Sequence, residues 1–364
     1  MKKTLIVISL ILALTLLAVS CDLGSSQENS NSDDSELSDS LEGDKNDKND
    51  KNNEDDEDED DNEKDTQEEN IFPSSKPSEG LVFITNDYNK GVCWLGGMGT
   101  CTDTNVVIPA TSPEGDSLVS ILQNAFYKTD ITTVVIPDSV TVIDSWAFSD
   151  CTKLIGVKFG NGLEEINGWA FQDCTSLKYI TLPESLLEIH NNAFSGCTSI
   201  TSFNITKNLK YISSSALPPS LTSITIDPEN THFRMENDCL IEIATYYNTV
   251  LYALPNGVIP TDENVKAIGS YAFSKHNDLV SVVIPSNIHT IESSAFDGCE
   301  NLTAVTIPTS VKHIGGWVFS KCSKLTSINY QGTMEQWLEI EFMGDWDKNM
   351  PSYTVHCTDG DITK

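Results

Sequence analysis

Seven phenylalanines and one leucine recur along the chain at nearly constant spacing: Phe126, Phe148, Phe171, Phe194, Leu217, Phe273, Phe296 and Phe319. The steps are 22, 23, 23 and 23 residues, then 56, then 23 and 23. A unit of this length cannot bury its own apolar face. A sustained period therefore means a stack in which each copy packs only against its neighbours. Such a chain is expected to present a surface to a partner rather than to carry out chemistry.

One copy runs from Leu177 through Ile180 and Leu182 to Pro183, then through Leu186 and Ile189 to Ala193-Phe194 and Cys197. Its opening recurs as Ile131/Val134/Ile136, Leu154/Val157/Phe159, Ile200/Phe203/Ile205 and Leu221/Ile224/Ile226, and again as Leu279/Val282/Ile284, Leu302/Val305/Ile307 and Leu325/Ile328/Tyr330. The last three positions alternate apolar, polar, apolar, which predicts a short half-buried strand. Pro137, Pro183, Pro285 and Pro308 follow at once. Proline has no N–H for a ladder, so each ends its strand at the same place. A second apolar pair comes next, as in Val140/Ile143, Leu163/Ile166, Leu209/Ile212, Ile288/Ile291 and Val311/Ile314. The Ala-Phe doublet then fills the interior at the far side. Stacking in register predicts a buried column of phenylalanines, each contributing roughly 1.5–3 kcal/mol by burial.

The frame Ile-x-x-x-Ala-Phe-x-x-Cys-x-x-Leu-x-x-Val-x-Ile-Pro resembles the BspA-like, or treponemal-type, leucine-rich repeats, from about Gly80 to Ile362. The resemblance implies a repeat solenoid. Its form would be a curved right-handed superhelix of short parallel β-strands with about 23 residues per repeat, one sheet on its concave side, and a cap at each end. Residues 227–260 break the period. Apolar runs at Cys239–Ile243 and Thr249–Leu254 around Tyr247-Asn248 predict an irregular, hairpin-bearing unit there. Residues 80–109 are assigned to an N-terminal cap, with apolar runs at Leu81–Ile84, Cys93–Leu95 and Val106–Ile108. Residues 331–364 are assigned to a C-terminal cap. There Thr333 and Gln336 have the spacing of a helix capping box ahead of Trp337, and Tyr353–Cys357 reads as a closing strand.

Upstream, Lys2-Lys3 and the apolar run Leu5–Val19 read as an export signal, too short for a spanning helix. Ala18-Val19-Ser20-Cys21 resembles a bacterial lipobox, which makes residues 1–21 a lipoprotein signal peptide and Cys21 the lipidated residue. Membrane attachment would then run through the N-terminal lipid. Residues 22–79 are expected to form a disordered acidic linker. Asp22–Phe72 holds 22 Asp or Glu against 4 Lys, within an overall net charge of −32, and has no periodic apolar content to offset the entropy of ordering. The remainder, 73–364, carries 32 acidic against 16 basic residues, the wrong sign for nucleic acid.

Ten cysteines in an exported chain raise the question of disulfides. Cys151, Cys174, Cys197, Cys299 and Cys322 all lie three positions after the doublet, so they belong to the repeat and read as a ladder of buried thiols. Cys93 and Cys101 are off that frame and are the candidate disulfide pair. No Cys-x-x-Cys motif points to zinc. The six histidines fall in different registers, and there is no nucleophile elbow, His-Glu-x-x-His or phosphate-cradling loop. No cofactor, metal or enzymatic activity is expected.

Two surfaces are candidates for a partner. Outward-facing strand residues are mostly small and hydroxylated, a solvated β-face on one reading. Against it Lys158, Lys178 and Tyr179 form a larger, partly cationic spot. At the doublet edge, Trp146 and Trp169 occupy equivalent positions in adjacent coils, with Tyr271 and Trp317 further along. These indoles either cover the turn as core or hold a sugar ring or protein loop. The export signal, spacer and repeat surface together suggest a monomeric, cell-surface lipoprotein that binds protein partners. The resemblance implies adhesion to host matrix proteins such as fibronectin and fibrinogen, or to other cells. The alternative is a carbohydrate-binding envelope lipoprotein, or a periplasmic scaffold.

Overall fold

The structure, a computed structural model, describes residues 71–72, 76–85 and 88–364. The lipobox Cys21 and the acidic linker up to residue 70 lie outside the described residues. The repeats form a curved β-solenoid of parallel strands. Each regular coil contributes two strands, one more than the sequence reading anticipated. The first is the Val-x-Ile segment of the repeat. Asn105–Val107, Thr133–Val135, Gly156–Lys158 and Tyr179–Thr181 pair in that order, all parallel. Ser202–Ile205 pairs with Ser223–Ile226. Ser281–Val283, Ala304–Ile307, Ser327–Tyr330 and Thr354–Cys357 continue the face farther on.

The second strand is only two residues long in most coils, as at Val142–Ile143, Glu165–Ile166, Glu188–Ile189 and Tyr211–Ile212. Two residues carry no alternation to read. They become a strand only because the equivalent pair of the next coil lies beside them in register, Ile143 against Ile166 and Ile189 against Ile212.

At the far side of each coil the phenylalanines form the expected column. Phe126, Phe148, Phe171 and Phe194 stack at centroid distances of 4.8, 5.0 and 5.4 Å with interplanar angles of 4° or less. Phe273, Phe296 and Phe319 stack at 5.2 and 5.6 Å. All seven rings are buried. The backbone holds the register: the N–H groups of Phe148 and Phe171 donate to the carbonyls of Ala170 and Ala193 in the following coil, at 2.7 and 2.8 Å.

Between the two halves, Phe233–Glu236, Cys239–Glu242 and Asn248–Ala253 make an antiparallel meander. The last of these strands turns parallel against Val265–Ile268, and the regular second ladder resumes from there. The Tyr252 hydroxyl donates to the Pro218 carbonyl at 2.9 Å, which ties the meander to the coil before it. Antiparallel pairs cover the outermost described coils. Val82–Ile84 lies on Val92–Gly97 at the front, and Gly360–Thr363 lies on Thr354–Cys357 at the back. Covering a ladder end removes a row of unpaired backbone groups that would otherwise recruit another chain. Near the back, Thr333 Oγ1 accepts from the Gln336 N–H and Gln336 Oε1 accepts from the Thr333 N–H. This capping box starts the short helix Met334–Leu338, which buries Trp337.

Candidate functional site

On the first ladder, Tyr179 sits directly beside Gly156, and Lys158 lies between Val135 and Thr181. Lys178 precedes the strand and folds back so that its Nζ is 4.9 Å from the centre of the Tyr179 ring. A cation over an aromatic face at an exposed site contributes about 0.5–1 kcal/mol and holds both side chains in place. Lys158, Tyr179, Phe159 and Leu182 line a cavity of about 350 Å³. The three residues singled out in the sequence therefore gather at one place: two line the cavity and the third holds one of them.

That cavity has a further wall, Phe72, which the sequence reading did not anticipate. Ile71 and Phe72 are half-buried, and both lie beside Gly156. A signal was present in the sequence. Ile71-Phe72 is the first pair of adjacent apolar residues after the export segment, and Phe72 is the first aromatic residue of the chain.

The second candidate surface lies at the doublet edge. Trp146 and Trp169 stack with centroids 5.0 Å apart and rings 9° from parallel. Both are half-buried, whereas Tyr271 and Trp317, one and three coils beyond the meander, are 44% and 46% exposed. All four backbones are left-handed, with φ of 57°, 60°, 61° and 54°. The turn imposes this conformation in nearly every coil. Asn124 and Asn192 fill the same position with φ of 62° and 58°. Asparagine tolerates that region easily, while a bulky residue there costs on the order of 1 kcal/mol or more. The turn itself therefore does not call for tryptophan. Beside Trp146, an open cavity of about 540 Å³ is bordered by Gln123, Asn124, Tyr127, Ser149, Asp150 and Gln172.

The cysteines of the repeat are buried, and each thiol donates across the stack. Cys151, Cys174, Cys197, Cys299 and Cys322 donate to the carbonyls of Phe126, Phe148, Phe171, Phe273 and Phe296, at 2.9–3.1 Å. The Cys174 thiol and burial together push the Cys151 thiol far up. The Cys322 thiol and burial do the same to Cys299. Cys93 and Cys101 are buried, separate thiols, and Cys93 Sγ lies 3.4 Å from the Asp116 carbonyl. In the coil after the meander, His276 takes the cysteine position, and its Nε2 lies 3.0 Å from the Ala253 carbonyl. Burial holds its pKa below the ordinary value despite the adjacent Asp278.

Among the described residues, no group of three His, Cys, Asp or Glu side chains could hold a metal ion. Nor is any helix there long and apolar enough to cross a membrane.

No curated protein sequence matches the chain. Among solved structures, the pneumococcal vaccine antigen PcpA is similar in fold. The match has a TM-score of 0.54 at 17% identity, covering 79% of this chain and 88% of that one. A leucine-rich repeat protein from Eubacterium ventriosum matches with a TM-score of 0.52 at 22% identity, covering 70% of this chain and 71% of that one. At these identities the likeness is one of fold alone. The family model for the BspA type leucine rich repeat region matches six copies over residues 119–239 and 241–344, more than half of the chain. With its 23-residue coils, stacked Ala-Phe turns and cysteine rungs, the chain belongs to the BspA-type leucine-rich repeat family.

Proposed function

We propose that this chain is an exported lipoprotein, anchored through Cys21 and displayed at the cell surface, whose solenoid binds protein partners in adhesion to host matrix or to other cells. The observation that carries this reading is the first-ladder face. It holds rows of side chains in fixed register, with Lys158, Tyr179 and the cation–π partner Lys178 grouped at one cavity. Tyrosine and a paired cation on a rigid surface are the groups on which protein interfaces concentrate their energy. PcpA, a vaccine antigen of similar fold, fits the same picture of a repeat surface shown to the outside. The test is binding of the soluble chain from residue 22 to immobilised fibronectin, fibrinogen and intact host or bacterial cells. Saturable binding that Lys158→Glu/Tyr179→Ala weakens at least tenfold supports the reading. Absence of binding to all of these surfaces overturns it.

A second reading rests on the Trp146–Trp169 edge. Trp169 covers one face of Trp146, and the neighbouring coil toward the front supplies only Asn124 where a third ring would stack. In this reading a sugar ring stacks on the open face of Trp146, and Gln123, Asn124 and Asp150, which border the same cavity, supply polar groups for its hydroxyls. Loss of polysaccharide retention in Trp146→Asn/Trp169→Asn supports it, and unchanged retention sinks it.

A further inference from the structure

Gly156 is an anomaly in its column. Along the first ladder the equivalent positions are Thr133, Tyr179, Ser202, Ser223, Ser281, Ala304 and Ser327, all with side chains. Glycine in a strand interior loses packing and costs entropy, and it often marks a place where another group approaches closely. The backbone at Gly156 is not in the left-handed region, so conformation does not require glycine there. Space does. A Cβ at Gly156 would lie 2.7 Å from Ile71 Cδ1 and 3.2 Å from Phe72 Cζ. Ile71 and Phe72 fill the notch that the absent side chain leaves. Gly156 is buried accordingly, while Ser202, Ser223 and Ser281 in the same column are exposed.

The segment is pinned a short way downstream. The Ser78 N–H donates to the Val107 carbonyl at 2.8 Å, and the Val107 N–H donates to Ser78 Oγ at 3.1 Å. Val107 lies on the strand two places from Gly156. Two strand spacings amount to about 10 Å. Six residues reach up to about 20 Å. The pair can thus leave the notch and return without Ser78 letting go, at an effective concentration on the order of millimolar. Beside Phe72 lies the cavity of about 350 Å³, walled by Val157, Lys158, Tyr179 and Leu182. Charge agrees with the arrangement. Glu68-Glu69 stand one residue ahead of the pair in a strongly acidic stretch, while Lys158 lines the cavity with Phe72 and Lys178 is held over the Tyr179 ring.

We infer that the Gly156 notch is a peptide-docking site for a segment bearing a bulky aliphatic–aromatic pair with acidic residues before it, and that its resident ligand is the chain's own Ile71-Phe72. This deepens the protein-binding function proposed above and rests on it only for the identity of an outside competitor. A partner segment of the same chemistry has to displace the resident pair, so the strap sets a threshold for binding at Lys158 and Tyr179.

The test uses a fluorescein-labelled peptide of residues 65–77 and the chain from residue 22 onward. Fluorescence anisotropy is read for wild type, for Ile71→Ser/Phe72→Ser, and for that double variant carrying Gly156→Val or, as a change away from the backbone, Tyr179→Ala. The expected result is peptide binding at least tenfold tighter to the opened double variant than to wild type. Either added substitution should remove it, and raising salt should weaken it. Equal affinity of wild type and the opened variant overturns the inference, as does binding that neither Gly156→Val nor Tyr179→Ala reduces. Wild type that doubles in mass on concentration, with the doubling lost in Ile71→Ser/Phe72→Ser, would assign the pair to a second copy and overturn the intramolecular strap. No matrix protein enters the assay, so failure of adhesion leaves its outcome intact.

Discussion

The thiol of Cys174 donates at 3.0 Å to the carbonyl of Phe148, twenty-six residues earlier and one coil away. The same carbonyl accepts the N–H of Cys151 from its own turn, so one oxygen ties two coils together. Repetition of this bond at five rungs explains why the position favours a small side chain that can donate without needing water.

Removing one such rung should cost more than the volume lost. Cys174→Ala deletes a buried donor and leaves a small void, and is expected to lower stability by about 1–2 kcal/mol. Cys174→Ser keeps a donor and should cost less. Urea unfolding of the two variants gives the comparison, and equal losses would show that the hydrogen bond contributes nothing.

The same burial makes the rungs chemically quiet. Neighbouring thiols and burial hold Cys151 and Cys299 protonated at neutral pH, and only the thiolate is nucleophilic. Among the described cysteines, Cys357 alone is half-exposed. Native iodoacetamide labelling at pH 8 followed by peptide mass analysis should modify Cys357 within that set, with the rungs reacting only after denaturation.

Phe171 has a ring stacked on each side, Phe148 at 5.0 Å and Phe194 at 5.4 Å. Phe171→Ala should destabilise the chain by about 3–5 kcal/mol. Phe171→Leu, which copies the natural Leu217 filling, should cost less than half as much. Thermal unfolding of both variants measures the ratio.

His276 gives the fold a pH dependence of defined sign. Burial depresses its native pKa below the ordinary 6.5, so the unfolded chain takes up the proton first. The stability contributed by the neutral ring is therefore complete above pH 6.5. It is lost as pH falls from there toward the depressed native value and levels off below it. Asp144 and Glu242, held up chiefly by burial, act in the opposite direction at lower pH. The difference between wild type and His276→Gln isolates the histidine. A difference in stability that does not change between pH 7.5 and 5 would overturn this assignment.

Trp146 and Trp169 occupy left-handed positions that Asn124 and Asn192 also fill. Trp146→Asn/Trp169→Asn should consequently leave the melting temperature within a few degrees of wild type. A loss exceeding about 2 kcal/mol would make the indoles core residues and remove the reason for reading them as a ligand surface.

Much of this molecule is legible from its period. The spacing of Phe148, Phe171 and Phe194 requires equivalent residues to lie over one another, and the stacked rings, the cysteine rungs and the Trp146–Trp169 pair follow from that one requirement. The apolar runs at Cys239–Ile243 and Thr249–Leu254 likewise mark two of the three strands of the meander. Local sequence determined these features because stacking turns a linear period into contact between neighbours. Other features depend on what lies beside a residue in space. Val142–Ile143 is a strand only because Glu165–Ile166 pairs with it. The left-handed backbone of Trp146 is imposed by a turn whose N–H groups bond to the next coil. The seat of Ile71-Phe72 at Gly156 joins residues more than eighty positions apart, with no repeat to relate them. A period specifies contacts between equivalents; only the tertiary structure decides what a non-repeating segment finds when it meets the finished surface.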